Sequence, residues 1–163
     1  MFFKTLFGIC LLRANPQDLP VSPAWMFGAI VAYAVMDVIG VLDVLTLSGA
    51  LLAAAVDTFM LVGATQLVLR SRHLPNRIPQ TLTALGGSGA ILSFIAWALA
   101  ALTPGLEQWI WGLFMLWYIL VFGHVLRHSL SISLAMAVAL SLLYLILSMS
   151  ITGLFVNPVS TEH

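Results

Sequence analysis

Residues 24–69 run for 46 positions without a single Lys, Arg or Pro, and their only acids are Asp37, Asp43 and Asp57. At about 1.5 Å per residue this makes roughly 69 Å of helix, about two crossings of a ~30 Å hydrocarbon core. The rest of the chain agrees. It is 61% hydrophobic and 7% charged, with a mean hydropathy of +1.08, whereas a soluble domain carries about 25% charged residues. The fold class that follows is all-α: an integral membrane bundle.

The first turn is expected at "LTLSG" (45–49), giving helices near 24–45 and 50–69. "RSRHLPNRIP" (70–79), with three arginines and two prolines, is a loop. Further spans are expected at about 80–102, ending at "TPGLEQ", at 109–126, ending at "RHS", and at 130–155, ending before "NPVSTEH". The organisation is a leader over 1–23, a single five-helix transmembrane domain over 24–156 and a short tail over 157–163. With the N-terminus inside, Lys4, Arg13, Arg70, Arg72, Arg77 and Arg127 all fall on the cytoplasmic side, as the positive-inside rule requires. Trp25, Trp109 and Trp111 then sit near membrane boundaries as interface anchors. The expected location is the bacterial inner membrane, multi-pass, with a cytoplasmic N-terminus and a periplasmic C-terminus.

In the leader, the apolar run between Lys4 and Arg13 is too short for a signal peptide and no A-x-A-like site follows. Ile precedes Cys10 where a lipoprotein box wants a small residue. Phe2, Phe3, Leu6, Phe7 and Cys10 recur at helical spacing, which predicts a short interfacial helix. "NPQDLPVSP", with three prolines, then breaks any helix.

Asp43 falls near the outer end of the first span and can reach the headgroups. Asp37 and Asp57 lie deeper, each seven or eight residues from the expected turn, on adjacent antiparallel helices. They can face each other at equal depth, with every Lys and Arg at the opposite membrane face. Such acids are either held in the bundle, bonded to backbone or to a hydroxyl such as Tyr33 or Thr58, or they share a proton or a cation in a pathway.

His124 and His128, spaced i, i+4, could form a metal site with Cys10 or His73, but "VLR" between them is no HExxH; interfacial histidines are the better reading. Gly86 over Ala90 and Gly89 over Ser93 form small-xxx-small pairs, and Ser133, Ala137 and Ser141 form a similar stripe, continued by Ser148 and Thr152. Both faces point to helix packing within the bundle or with a partner. GxSxG, HExxH, a phosphate loop and paired cysteines are all missing from the chain, and one cysteine cannot close a disulfide. No enzyme activity and no cofactor are expected. Zero net charge argues against a nucleic-acid partner.

The leader "PQDLPVSP", the five closely spaced helices, "RIPQTLTALGGSGAI" after a basic loop and a last helix ending in "SMSITGLF" resemble the small bacterial members of the Yip1 family over residues 15–155. That resemblance implies a polytopic inner-membrane protein acting through partners. The functional expectation is accordingly a non-enzymatic scaffold or accessory subunit, contacting the lipid bilayer and either a membrane-protein partner or further copies of itself. The alternative is a small proton- or cation-coupled transporter or channel using Asp37 and Asp57.

Overall fold

A computed structural model describes residues 2–155; the tail expected at 157–163 and position 156 lie outside them. Among the described residues the chain is all-α, with helices α1 (Phe2–Cys10), α2 (Pro23–Val41), α3 (Leu47–Ser71), α4 (Ile78–Leu102), α5 (Glu107–Leu130) and α6 (Leu134–Phe155). Single 3-10 turns at Pro16–Asp18 and Pro75–Arg77 precede α2 and α4. The five helices α2–α6 are long and apolar enough to cross a membrane.

The helix ends depart from the sequence expectation where caps decide them. The first turn spans residues 42–46, earlier than 45–49, because the Thr46 hydroxyl accepts from the Gly49 amide at 3.2 Å and starts α3 there. Asp43 sits exposed in that turn. Helix α5 continues through Arg127 and His128 to Leu130, and Ser131, in the left-handed region at φ 56°, ends it. Ser133 then opens α6, its hydroxyl accepting from the Met136 amide at 3.3 Å.

Helix α4 occupies the middle, packed on α2 and α5, while α3 and α6 complete the bundle. Every residue from Thr81 to Ala90 is buried. Close backbone approach and dense packing hold α4 against its neighbours. Gly86 is where this is tightest: a Cβ there would lie 3.0 Å from the Ala29 carbonyl oxygen of α2. At Gly89 a Cβ would come within 2.8 Å of the Tyr33 ring and 3.4 Å of Tyr118.

The expected short N-terminal helix is present, but it does not lie flat on the bundle. Phe2 stacks on Trp25 at 3.9 Å between centroids, near the start of α2. From there α1 runs inward. Leu6 meets Gly87, and the Cys10 thiol lies 3.9 Å from the Ser88 carbonyl, at the eleventh of the 25 residues of α4. Leu6, Ile9 and Cys10 join the core with Leu85, Val121 and Val125, while Phe3 and Phe7 stay exposed.

The chain then reverses. Leu12 takes a left-handed φ of 60°, and the amides of Arg13 and Ala14 both donate to the Gly8 carbonyl, at 2.8 and 3.2 Å. Trp117 Nε1 donates to the Cys10 carbonyl at 2.9 Å, and His124 Nε2 donates to the Ala14 carbonyl at 3.0 Å. Farther back, Gln17 donates to the His128 carbonyl at 2.7 Å and Gln80 to the Leu19 carbonyl at 2.7 Å. Side chains of α4 and α5, with Gln17 of the leader itself, thus pair polar groups along this irregular stretch.

Charge divides between the two ends. Arg70, Arg72 and Arg77 lie in and beside the α3–α4 turn, and Arg77 Nη1 reaches across to the Ser129 carbonyl at 2.8 Å, near Arg127. Asp43 and Glu107 lie at the opposite end, in the α2–α3 turn and at the start of α5.

Candidate functional site

Asp57 is the centre of the polar groups buried between the helices. It stands on the inward face of α3 and accepts from Tyr33 Oη of α2 at 2.6 Å, from Tyr144 Oη of α6 at 3.0 Å and from Ser148 Oγ of α6. Tyr33 and Asp37 are four residues apart on α2, as are Tyr144 and Ser148 on α6, so each pair shares one helix face. Tyr118 of α5 completes the ring, its hydroxyl 3.0 Å from that of Tyr33.

An ionised carboxylate only accepts hydrogen bonds, and a phenol has one proton to donate. Tyr33 gives its proton to Asp57, so Tyr118 donates to Tyr33, and the proton order of the chain Tyr118–Tyr33–Asp57 is set. Three hydroxyls, from Tyr33, Tyr144 and Ser148, converge on the Asp57 carboxyl. Such a network specifies one arrangement when every member is satisfied.

Asp37 is the unsatisfied member. It lines the same two clefts as Asp57, yet its Oδ2 is buried with no hydrogen-bond partner among the described residues. Two carboxyl groups sharing one space favour a proton or a cation between them. No Lys or Arg lines the space around them. What the Asp37 oxygen lacks is a hydrogen-bond partner, and the described residues do not bring it one.

The two acids sit where two open clefts meet, both in the half of the bundle away from the Arg70–Arg77 loop. One cleft, about 240 Å³, is walled by Trp111, Phe114, Met115 and Tyr118 of α5 and by Met149 of α6. The other, about 410 Å³, runs between α2, α3 and α6 past Val41, Ala54 and Thr152. Toward the basic end the site is floored by Phe122, stacked between Tyr118 at 4.1 Å and Tyr144 at 6.0 Å, above Leu61, Leu85 and Val121.

The expected proximity of Asp37 and Asp57 is thus present, though the acids are not equidistant from the turn. Asp37 is four residues from Val41, roughly 6 Å, and Asp57 ten from Leu47, roughly 15 Å, because α2 ends deeper than α3 begins. Of the two hydroxyls considered for them, Tyr33 bonds Asp57, whereas Thr58 Oγ1 is buried without a partner. Tyr118 and Tyr144 were not foreseen; a single tyrosine within the apolar middle of each of two helices is the available signal.

The other candidates are placed elsewhere. His124 and His128 meet edge to face at 4.6 Å, and His124 is spent on the Ala14 carbonyl. Cys10 faces Ser88, and His73 is exposed in the α3–α4 turn. Among the described residues no three His, Cys, Asp or Glu side chains gather as a metal site would require. Gly86, Gly89 and Ala90 are enclosed within the bundle, and Ser93 lines the smaller cleft. Ala137 and Ser141 are buried, the Ser141 hydroxyl donating to the Ala137 carbonyl at 3.0 Å, and Ser133 caps α6.

Comparison with known protein families, with curated proteins and with solved structures finds no match to this chain. The resemblance to the Yip1 family rests on the motifs quoted above.

Proposed function

We propose that this chain is a small multi-pass membrane transporter or channel, coupled to protons or cations through Asp37 and Asp57. The observation that carries the reading is the buried, donorless oxygen of Asp37 beside Asp57, at the junction of two open clefts that no basic residue lines. Intramembrane carboxyls are costly, and their usual use is a proton relay or an ion site. The hydroxyl chain Tyr118–Tyr33–Asp57 holds one acid in a fixed orientation while the other exchanges its positive partner. The bacterial inner membrane is the location that suits this reading, with the Arg70–Arg77 loop on the cytoplasmic side. The clefts then face outward.

The accessory-subunit reading works through helix–helix contacts at the small-residue faces. Gly86 and Gly89 make such contacts within the chain itself, on Ala29 and Tyr33, so we base the proposal on the acidic site.

The test is reconstitution into proteoliposomes with a trapped pH-sensitive dye and an imposed proton or Na⁺ gradient. Asp57→Asn and Asp37→Asn are expected to abolish the flux carried by the unaltered protein. Equal flux from all three would sink the proposal.

A further inference from the structure

We propose that the smaller cleft takes a small organic monocation, an amine or quaternary ammonium, whose charge rests against Asp37. The inference rests on the coupling reading above and names its substrate class.

Three features of the cleft carry it. The first is the charge partner, since the buried Oδ2 of Asp37 has no donor and Asp57 has its lone pairs engaged by three hydroxyls. The second is the wall. Gly40 lies one turn after Asp37 on the same face of α2, and a Cβ on it would sit 3.8 Å from Cη2 of Trp111. The indole therefore lies against the turn of α2 that follows Asp37, and both residues line the cleft, with Phe114 and Tyr118 further along α5. An aromatic face attracts a cation through its quadrupole, and Trp does so best. The third is size: about 240 Å³ is just below the usual range of about 300–1,000 Å³ for small-molecule sites.

A hard metal ion fits this lining poorly. Ca²⁺ calls for six to eight oxygen ligands and Mg²⁺ for an octahedron that keeps several waters. Beyond the two carboxylates this cleft offers only phenol and serine hydroxyls, three of them already donating to Asp57, and the rest of its wall is indole, phenyl, alkyl and thioether. An alkylammonium needs one carboxylate, polarisable surface and little water. Met115 and Met149, flexible and soft, line the same cleft and can adapt to alkyl groups of different shape.

The experiment uses the full chain purified in mild detergent and follows its intrinsic fluorescence and its calorimetric heat on titration. Choline is the probe, and 3,3-dimethylbutan-1-ol, which replaces the charged nitrogen by carbon, is its neutral counterpart. Choline is expected to bind and the alcohol not to. Asp37→Asn should remove choline binding, and Trp111→Ala should weaken it by about tenfold while Trp111→Phe, which keeps a ring, loses less. Thermal melting of each variant separates loss of the site from loss of the fold. Equal binding of choline and the alcohol, or choline binding indifferent to both Asp37→Asn and Trp111→Ala, overturns the inference. So does a protein with Asp57-dependent proton flux and no choline binding, and in that case the coupling reading survives. Absence of any flux dependent on Asp57 overturns the coupling reading itself.

Discussion

The Tyr33 hydroxyl donates to Asp57 at 2.6 Å and accepts from Tyr118 at 3.0 Å, so a single phenol joins α2, α3 and α5 at the level of the acidic pair. Removing that oxygen leaves two groups short: Asp57 loses a donor and Tyr118 loses its acceptor. Tyr33→Phe is expected to lower stability by about 1–3 kcal/mol, since an orphaned buried group costs its full desolvation. Tyr33→Phe with Tyr118→Phe should recover part of that loss, because the second change removes the orphan. Thermal melting in detergent checks both, and a double variant less stable than the sum of the two singles would refute the arrangement.

Gly86 separates α4 from the backbone of α2 by the width of a hydrogen atom. The obstacle at 3.0 Å is the Ala29 carbonyl, which cannot rotate away as a side chain could. Gly86→Val is expected to cost about 2–3 kcal/mol or to yield no monodisperse protein on size exclusion. Gly63→Ala, where nothing lies within 4 Å, should leave stability unchanged or slightly raised.

Cys10 reports on the inserted helix. Burial disfavours its thiolate and pushes the thiol up to about 11, so the neutral form persists at every pH below that value and reactivity rises only as pH approaches it. At pH 8 a maleimide should leave the folded protein unmodified and label it quickly in SDS. Trp117→Phe removes the donor to the Cys10 carbonyl and should speed labelling of the folded protein; an unchanged rate would show that the indole does not hold α1 in place.

The orientation proposed from the arginine-rich end has a direct check. A phosphatase active only in the periplasm should be inactive when inserted after Asn76 and active when inserted after Gly105, in the turn between α4 and α5. The reverse pattern would place the clefts and both acids on the cytoplasmic side.

The long helices were legible in the sequence because Lys and Arg fall only at or beyond their ends, leaving long apolar runs between. "RSRHLPNRIP" and "TPGLEQ" delimit α3, α4 and α5 to within a few residues. The ends that slipped, at Thr46 and Ser131, depend on a hydroxyl cap and on one left-handed residue, both invisible to a hydropathy argument. Asp37 and Asp57 stood out for the same reason the spans did. Their surroundings did not, because Tyr144 is 87 residues from Asp57 and Tyr118 is 85 from Tyr33, and no local periodicity encodes which faces of distant helices meet. The insertion of α1 was hidden in the same way: its apolar spacing suits a lipid surface as well as a cleft between α4 and α5.

That insertion bears on the order in which the protein can be made. Trp117 is 107 residues beyond Cys10, and His128 is 111 beyond Gln17. When Cys10 leaves the ribosome, the groups that satisfy its carbonyl do not yet exist, and at about 5–20 residues per second they follow roughly 5–20 s later. Through that interval Leu6, Ile9 and Cys10, buried in the finished fold, have no α5 to pack against. The contacts that seat the earliest part of the chain therefore form only after α5, more than a hundred residues later, has been made.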